Sequence, residues 1–311
     1  MSPLLVLLGA SGRLGRAIAP LAVAAGFTVV AVARSRPADQ ASADARSRPA
    51  DQASADAHWI IADLTVAEHR ARVAVTTAIL AASRGRVCVV DSVLDRSGVQ
   101  SMRRSVHGAT ETVLHLRDQL LASGREITLI AASTTAVLAP GLYQTPYGLA
   151  KRRQVVRYAR SGIPGMALLL PQLTPQPVDE PTPPPVWPFD QAAQKIVAAA
   201  ATTPVRPDLA MLVPVVPDPA INAEASLISV AGSTILAHLR SLLLDRDSMQ
   251  AHRAAARGRL RLWPRRIRLR VDHHVAPREL VRRFADRHRI AVIDERSEAT
   301  ASKGNEAARV R

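Results

Sequence analysis

Short apolar runs alternate with amphipathic stretches through the first two thirds of the chain. Residues 4–8 (LLVLL) are apolar throughout and stop at Gly9, the pattern of a strand buried on both faces. Residues 12–25 follow with helical spacing, and Gly26 is the stop signal. The same alternation predicts strands at 27–33 (FTVVAVA), 59–62, 87–90 (VCVV), 127–132, 166–170 and 210–216. Helices are predicted at 66–83, 100–123, 147–160, 189–202 and 221–244. Short apolar strands separated by helices imply a parallel, doubly wound α/β sheet.

Two stretches interrupt this order. The segment ARSRPADQASAD at 33–44 recurs unchanged at 45–56. Two copies cannot build a solenoid, and neither copy has an apolar face. We read 33–56 as an inserted tandem-repeat loop between strands two and three, where added length costs little closure entropy, and expect it to be mobile. Residues 171–188 (PQLTPQPVDEPTPPPVWP) hold eight prolines, which rules out a helix or central strand. This loop follows the sixth strand, at the carboxyl edge where ligands bind in such sheets, and is the expected substrate loop.

Composition then narrows the class. Apolar residues make up 48% of the 311, enough for a sizeable core and too many for a disordered chain. Aromatic residues are only 3%, which argues against stacking surfaces for sugars or single strands. The single cysteine, Cys88, excludes a disulfide framework or cysteine-rich zinc site and fits a reducing, cytoplasmic setting. Because Cys88 lies in an apolar run, it reads as a small buried hydrophobe. No apolar run reaches membrane-spanning length, and the apolar start reads as a first strand rather than a signal peptide.

The net charge of +15 is uneven. Residues 251–311 carry 17 Lys+Arg against 7 Asp+Glu, a net of +10. The basicity therefore belongs to a C-terminal extension, taken as 246–311, and says little about the main domain at 1–245. Only three of the 41 basic residues are lysine, a bias that a GC-rich genome explains better than a partner does. Within the extension, 277–288 (PRELVRRFADRH) is a short helix candidate. Residues 257–271 alternate partly between Arg and aliphatic residues, as in a half-buried strand or hairpin. Residues 297–311 should be disordered. No DNA-binding motif is present, so nucleic acid is not the expected partner. The pair His273-His274 points in two directions on any regular element, and no metal site is expected.

Three motifs carry chemistry. Gly9-Ala10-Ser11-Gly12-Arg13-Leu14-Gly15 lies between the first strand and first helix. Glycines there permit a tight turn and close approach of a pyrophosphate, while the helix end supplies N–H donors and a positive dipole. An acidic residue after strand two would accept the ribose 2′-hydroxyl of NAD. This chain has Arg34 instead, which pairs with a 2′-phosphate, and Arg13 is within reach of the same group. NADP is therefore favoured over NAD. Finally, Tyr147 and Lys151 stand four apart on one helix face. A nearby ammonium lowers a phenol's pKa and makes it a usable proton donor or acceptor. With three Tyr and three Lys in the chain, this pairing is an uncommon coincidence.

With the glycine-rich first turn, a hydroxyl residue after strand five and Tyr-x-x-x-Lys opening the next helix, the chain resembles the short-chain dehydrogenase/reductases over about residues 3–245. The glycine spacing is closest to their extended or atypical branch, which includes epimerases and dehydratases. The resemblance implies a Rossmann-type doubly wound sheet, here with a basic C-terminal extension. It also implies a hydroxyl that polarises a substrate carbonyl, proton transfer by Tyr147, and a Lys151 that tunes Tyr147 and holds the nicotinamide ribose. Ser133 is the first choice for the hydroxyl by residue type; Thr134 stands at about the usual separation from the tyrosine. Asp63, after strand three, matches the position that contacts the adenine. Family members often form dimers or tetramers through the helices around the tyrosine.

Some family features are missing. The Asn-Asn-Ala-Gly often found after strand four is replaced by Val90-Asp91-Ser92-Val93. The two asparagines, Asn222 and Asn305, lie too far downstream for the usual proton relay, which must use another group or water. The expected activity is NADP-dependent oxidation or reduction of a carbonyl/alcohol pair in a small molecule. Alternatives are an epimerase or dehydratase with no net redox change, and a non-catalytic NADP-binding sensor.

Overall fold

The computed structural model describes residues 2–36, 57–95, 97–138, 146–175, 186–202, 209–213 and 277–294. The tandem repeat beyond Arg36, the predicted helix at 221–244, the Arg-rich stretch 257–271 and the terminus at 297–311 lie outside the described residues.

The first strand, β1 (Leu4–Leu8), has all five residues fully buried. Its side chains alternate between two cores, Leu4, Val6 and Leu8 in one and Leu5 and Leu7 in the other. Burying each leucine contributes roughly 1.5–3 kcal/mol, so the run specifies a central strand. After β1 come α1 (Arg13–Ala24), β2 (Thr28–Ala33), β3 (His58–Ile61), α2 (Ala67–Ala81), β4 (Val87–Asp91), α3 (Val99–Ala122) and β5 (Ile127–Thr134). A 3-10 turn at Thr135–Leu138 leads towards α4 (Pro146–Arg160) and β6 (Gly165–Leu170). Next are β7 (Gln172–Thr174), β8 (Val186–Pro188), α5 (Phe189–Thr202) and β9 (Leu209–Val213). The last described elements are α6 (Pro277–His288) and β10 (Ala291–Asp294).

The strands form an eight-stranded sheet in the order β10-β9-β6-β5-β4-β1-β2-β3, with every pairing parallel. The chain starts in the middle, runs outward to β3, and returns through β4 to the opposite edge. That reversal between β1 and β4 is the topological switch point, where a crevice opens at the carboxyl ends of the strands. Helices α2, α3, α4 and α6 contribute to the core on one face, and α1 and α5 to the core on the other.

Of the expected substrate loop 171–188, the structure describes 171–175 and 186–188, and 176–185 lie outside the described residues. β7 and β8 pair with each other in a separate two-stranded sheet and add nothing to the main ladder. The helix at 277–288 forms where the pattern places it, with Val281, Phe284 and Ala285 buried in the α4 core. The strand after it, β10, was not anticipated. It pairs with β9 and makes part of the C-terminal stretch an edge of the main sheet.

Cys88 is buried in β4, and loss of water pushes its thiol up to about 12, which makes it an inert core residue. Among the described residues no helix is long and apolar enough to cross a membrane, and no cluster of three or more His, Cys, Asp or Glu could hold a metal ion.

One glycine in α3 sets how closely that helix approaches the β3–α2 connection. A Cβ on Gly108 would lie 2.0 Å from the carbonyl oxygen of Leu64. Gly108→Ala must push helix and loop apart. We expect a loss of about 1–3 kcal/mol, read as a lower urea midpoint with an unchanged slope.

Candidate active site at the carboxyl edge

The turn after β1 is built on Gly9, whose φ of +86° suits glycine. Its N–H and that of Ala10 both donate to the carbonyl of Val32, at 3.0 and 3.1 Å. Ser92, just past β4, donates from its Oγ to the carbonyl of Leu8 at 2.8 Å, tying the two strand ends together beneath the turn. Gly15 is needed for a different reason: a Cβ there would lie 2.3 Å from the Gly9 carbonyl oxygen and 2.7 Å from the Ala10 Cα. Helix α1 thereby packs directly against its own entry loop. Its N-cap, Gly12, has no capping side chain, and no acidic residue stands in the first turn. The first intrahelical bond runs from the Arg16 N–H to the Gly12 carbonyl, so the N–H groups of Arg13, Leu14 and Gly15 have no partner within the helix. Ser11, Gly12 and Arg13 thus sit on an N-terminus suited to an anion. That loop fits a dinucleotide pyrophosphate, because its N–H groups are open at the helix end and the tight turn that presents them leaves no room for side chains at Gly9 and Gly15.

Arg34 follows β2, and its Nη1 lies 2.8 Å from Asp95 Oδ2. Asp95 follows β4, and β1 lies between β4 and β2. The ion pair therefore crosses above the carboxyl end of β1, a span of roughly 10 Å at ordinary strand spacing. Asp95 is the fixed partner. Its carboxylate accepts from the Ser97 N–H at 2.8 Å, and its own N–H donates to Ser105 Oγ at 3.3 Å. Hydrogen bonds from Ser97, together with the Arg34 charge, hold its pKa below the usual carboxylate value. Arg34 is the exposed end, with 65% of its side chain open to solvent. Asp63 closes a small turn by accepting from the Thr65 N–H at 2.9 Å and Oγ1 at 2.8 Å. The Thr65 N–H is the main cause of its lowered pKa, and Arg34 adds to it. Arg34 thus acts electrostatically on both acids.

Lys151 is almost wholly buried, at 2% exposure. Its Nζ donates to Gln154 Oε1 at 3.0 Å, the Ala132 carbonyl at 3.2 Å and the Val93 carbonyl at 3.3 Å. The ammonium therefore sits between the carboxyl ends of β4 and β5. Burial lowers its pKa, and the charge of Asp91 opposes that shift. Tyr147, one turn earlier, is half-buried against a small apolar cluster of Met102, Val106 and Ala150.

Alternation along β5 separates the two hydroxyl candidates. Ile127, Leu129 and Ala131 belong to the core of the α4 face, and Ser133 continues that row. Ile130 and Ala132 belong to the other core, and Thr134 continues theirs. Ser133 is 3% exposed, and its Oγ has no hydrogen-bond partner among the described residues. A buried hydroxyl without a partner costs free energy unless something else meets it. Ser133, Tyr147 and Lys151 are thus grouped at one end of one sheet face, while Thr134 belongs to the opposite face.

The structure adds residues that the motifs did not include. Asp91 ends β4 fully buried, and its Oδ2 accepts from Tyr158 Oη at 2.6 Å and Gln154 Nε2 at 2.7 Å. Gln154 carries the connection on to Lys151. Two signals in the chain point to this network: an Asp closing an otherwise apolar buried strand, and a Gln three residues after the lysine, on the same helix face.

No family model matches this sequence, and no curated protein matches it either. Solved structures do match in fold. ElxO, as a Tyr-to-Phe variant with NADPH bound, aligns at a TM-score of 0.51 and 11% identity, covering 68% of this chain and 97% of its own. A short-chain type dehydrogenase/reductase from Mycobacterium ulcerans aligns at 0.51 and 17% identity, over 68% of this chain and 88% of its own. Acetoin dehydrogenase from Enterobacter cloacae gives 0.51 and 11%, over 68% and 95%. At these identities the likeness is one of fold. The chain has the Rossmann-type fold found in short-chain dehydrogenase/reductases.

The exposed Arg34–Asp95 pair should contribute little to stability. Arg34→Ala is expected to cost less than about 1 kcal/mol, measured by urea denaturation. A larger loss would mean that the arginine supports the fold.

Proposed function

We propose that the protein is an NADP-dependent oxidoreductase of the short-chain dehydrogenase/reductase type, acting on a carbonyl/alcohol pair of a small molecule. The observation that carries this reading is the grouping at the carboxyl edge, on the side of the switch point occupied by β4 and β5, of Tyr147, Lys151 and the Ser133 hydroxyl, which has no partner among the described residues. The glycine cradle before α1 lies on the other side of that point, beside β1.

The residues divide the work. Gly9, Ser11, Gly12, Arg13, Leu14 and Gly15 would hold the pyrophosphate through backbone N–H groups and the dipole of α1. Arg34 would pair with a 2′-phosphate, and Asp63 would contact the adenine at the end of β3. When bound, NADP supplies a hydride acceptor, and NADPH a hydride donor, at the nicotinamide. Ser133 Oγ donates a hydrogen bond to the substrate oxygen and polarises the carbonyl. In the reducing direction Tyr147 gives its phenolic proton to that oxygen, and in the oxidising direction it takes the proton back. Lys151 places a positive charge near the phenol and favours its deprotonated form. To reach a ribose hydroxyl it must release one of its longer contacts, to Val93 or Ala132.

NADP as the cofactor follows from Arg34 and from the fold shared with ElxO, which binds NADP and NADPH. Asp95 then competes with the 2′-phosphate for the arginine. Nicotinamide fluorescence titrations test both points. NADPH should bind at least about tenfold tighter than NADH, a difference near 1.4 kcal/mol, and Arg34→Ala should erase the preference. Asp95→Asn should tighten NADPH binding by up to about fivefold, the worth of one exposed ion pair, and leave NADH unchanged. If neither nucleotide bound at millimolar concentration, the assignment would be overturned.

The chemistry is tested with a panel of carbonyl compounds and NADPH, following loss of nicotinamide absorbance. Tyr147→Phe should bind NADPH normally and lose about 10²–10⁴ in kcat. Full activity in that variant would remove the tyrosine from the mechanism.

A further inference from the structure

We propose that Asp91, acting through the amide of Gln154, is a positioning residue for Lys151 that fixes where the buried ammonium sits and keeps it charged. The inference rests on the functional reading above only for what Lys151 does, not for how it is held.

The argument begins from donor and acceptor counting. A lysine ammonium only donates and a carboxylate only accepts. Gln154 lies between them and has one end of each kind. Its Nε2 faces Asp91 Oδ2 at 2.7 Å, and its Oε1 faces Lys151 Nζ at 3.0 Å. The reverse orientation would set an NH₂ against the ammonium and an oxygen against the carboxylate. The charges at its two ends therefore allow one orientation, and Gln154 links a buried anion to a buried cation. The remaining contacts support the anion. Tyr158 donates to the same Oδ2 at 2.6 Å, and the Val93 N–H donates to Oδ1 at 3.1 Å. Burial and the adjacent Asp91 charge raise the Tyr158 phenol well above its ordinary value, so it stays a donor. Thr110 Oγ1 and the Val106 carbonyl on α3 lie 3.4 Å from Gln154 Nε2.

Asp91, Gln154, Lys151 and Tyr158 are each at most 2% exposed. A buried cation without a counter-charge releases its proton. The ionisable groups of the network are Asp91 on β4 and Tyr158 and Lys151 on α4. α3 and β5 offer it only hydroxyl and carbonyl groups. Asp91 is therefore the negative charge that this arrangement supplies to the ammonium. The asparagine relay expected of such sites has no equivalent at the usual place, and this glutamine–aspartate link is the polar group that reaches the lysine instead.

The chain's three lysines, Lys151, Lys195 and Lys303, make a direct test practical. With Lys195→Arg and Lys303→Arg in place, a protein labelled with ¹³C at lysine Cε gives one resonance, that of Lys151. Its titration is followed by NMR with no substrate present. The charged form should persist at pH 7. Asp91→Asn and Gln154→Met should each lower the midpoint by at least about one pH unit. Tyr158→Phe removes a buried hydrogen bond from the same carboxylate but no contact of the lysine, so it should lower stability and move the midpoint by less than half as much. An unmoved midpoint in a folded Asp91→Asn or Gln154→Met variant would overturn the proposal. So would a Lys151 that is already neutral at pH 7 in the otherwise unaltered protein, a result that needs neither variant to fold. The NADPH titration reads the functional assignment separately, because a protein that bound no nucleotide could still show the Asp91 effect.

Discussion

A lysine almost wholly removed from water sits between the carboxyl ends of β4 and β5, and its surroundings are organised to tolerate it. Three acceptors meet its three protons: two carbonyls from the ends of neighbouring strands and one amide oxygen from its own helix. Meeting those demands fixes the end of β4 relative to β5, and both relative to α4. The ammonium is thus a structural pin as well as a chemical group. Its placement brings Tyr147 and Ser133 to the same edge, because one lies a turn earlier on that helix and the other follows Ala132 in the chain.

The opposite half of the edge is organised by absence of side chains. Gly9 and Gly15 let the entry loop of α1 fold tightly on itself and bring its backbone close against the helix terminus. One half of the crevice therefore presents N–H groups without formal charge, and the other presents a buried cation with its counter-charge below it. The Arg34–Asp95 pair crosses between the two arms of the sheet above β1. The arginine is exposed, while the aspartate is held by the Ser97 turn.

Much of this was legible in the chain. LLVLL followed by a glycine turn reads as a central parallel strand because water is unfavourable on both of its faces. The Tyr147–Lys151 spacing reads directly as one helix face. The choice between Ser133 and Thr134 was not legible from spacing, since it depends on the pleat of β5, and a one-residue difference moves a side chain to the other core. Asp91 and Gln154 were harder still. Each is an ordinary polar residue in its own segment, and their meaning comes from contacts 63 residues apart. β10 was missed because AVID is only four residues long, lies at an edge, and follows a stretch whose dominant signal is arginine.

That edge strand bears on how the molecule is made. The sheet's far side is completed by residues 291–294, close to the end of the chain, while its centre is laid down by the first eight residues. During synthesis β9 is made before its outer partner, and its outer row of backbone hydrogen-bonding groups pairs with β10 only once residues 291–294 have been added. An unpaired strand edge invites association with other chains. Pairing of β10 passes the edge position from β9 to a strand of four residues, so a chain cut before residue 291 would leave β9 as the edge in its place.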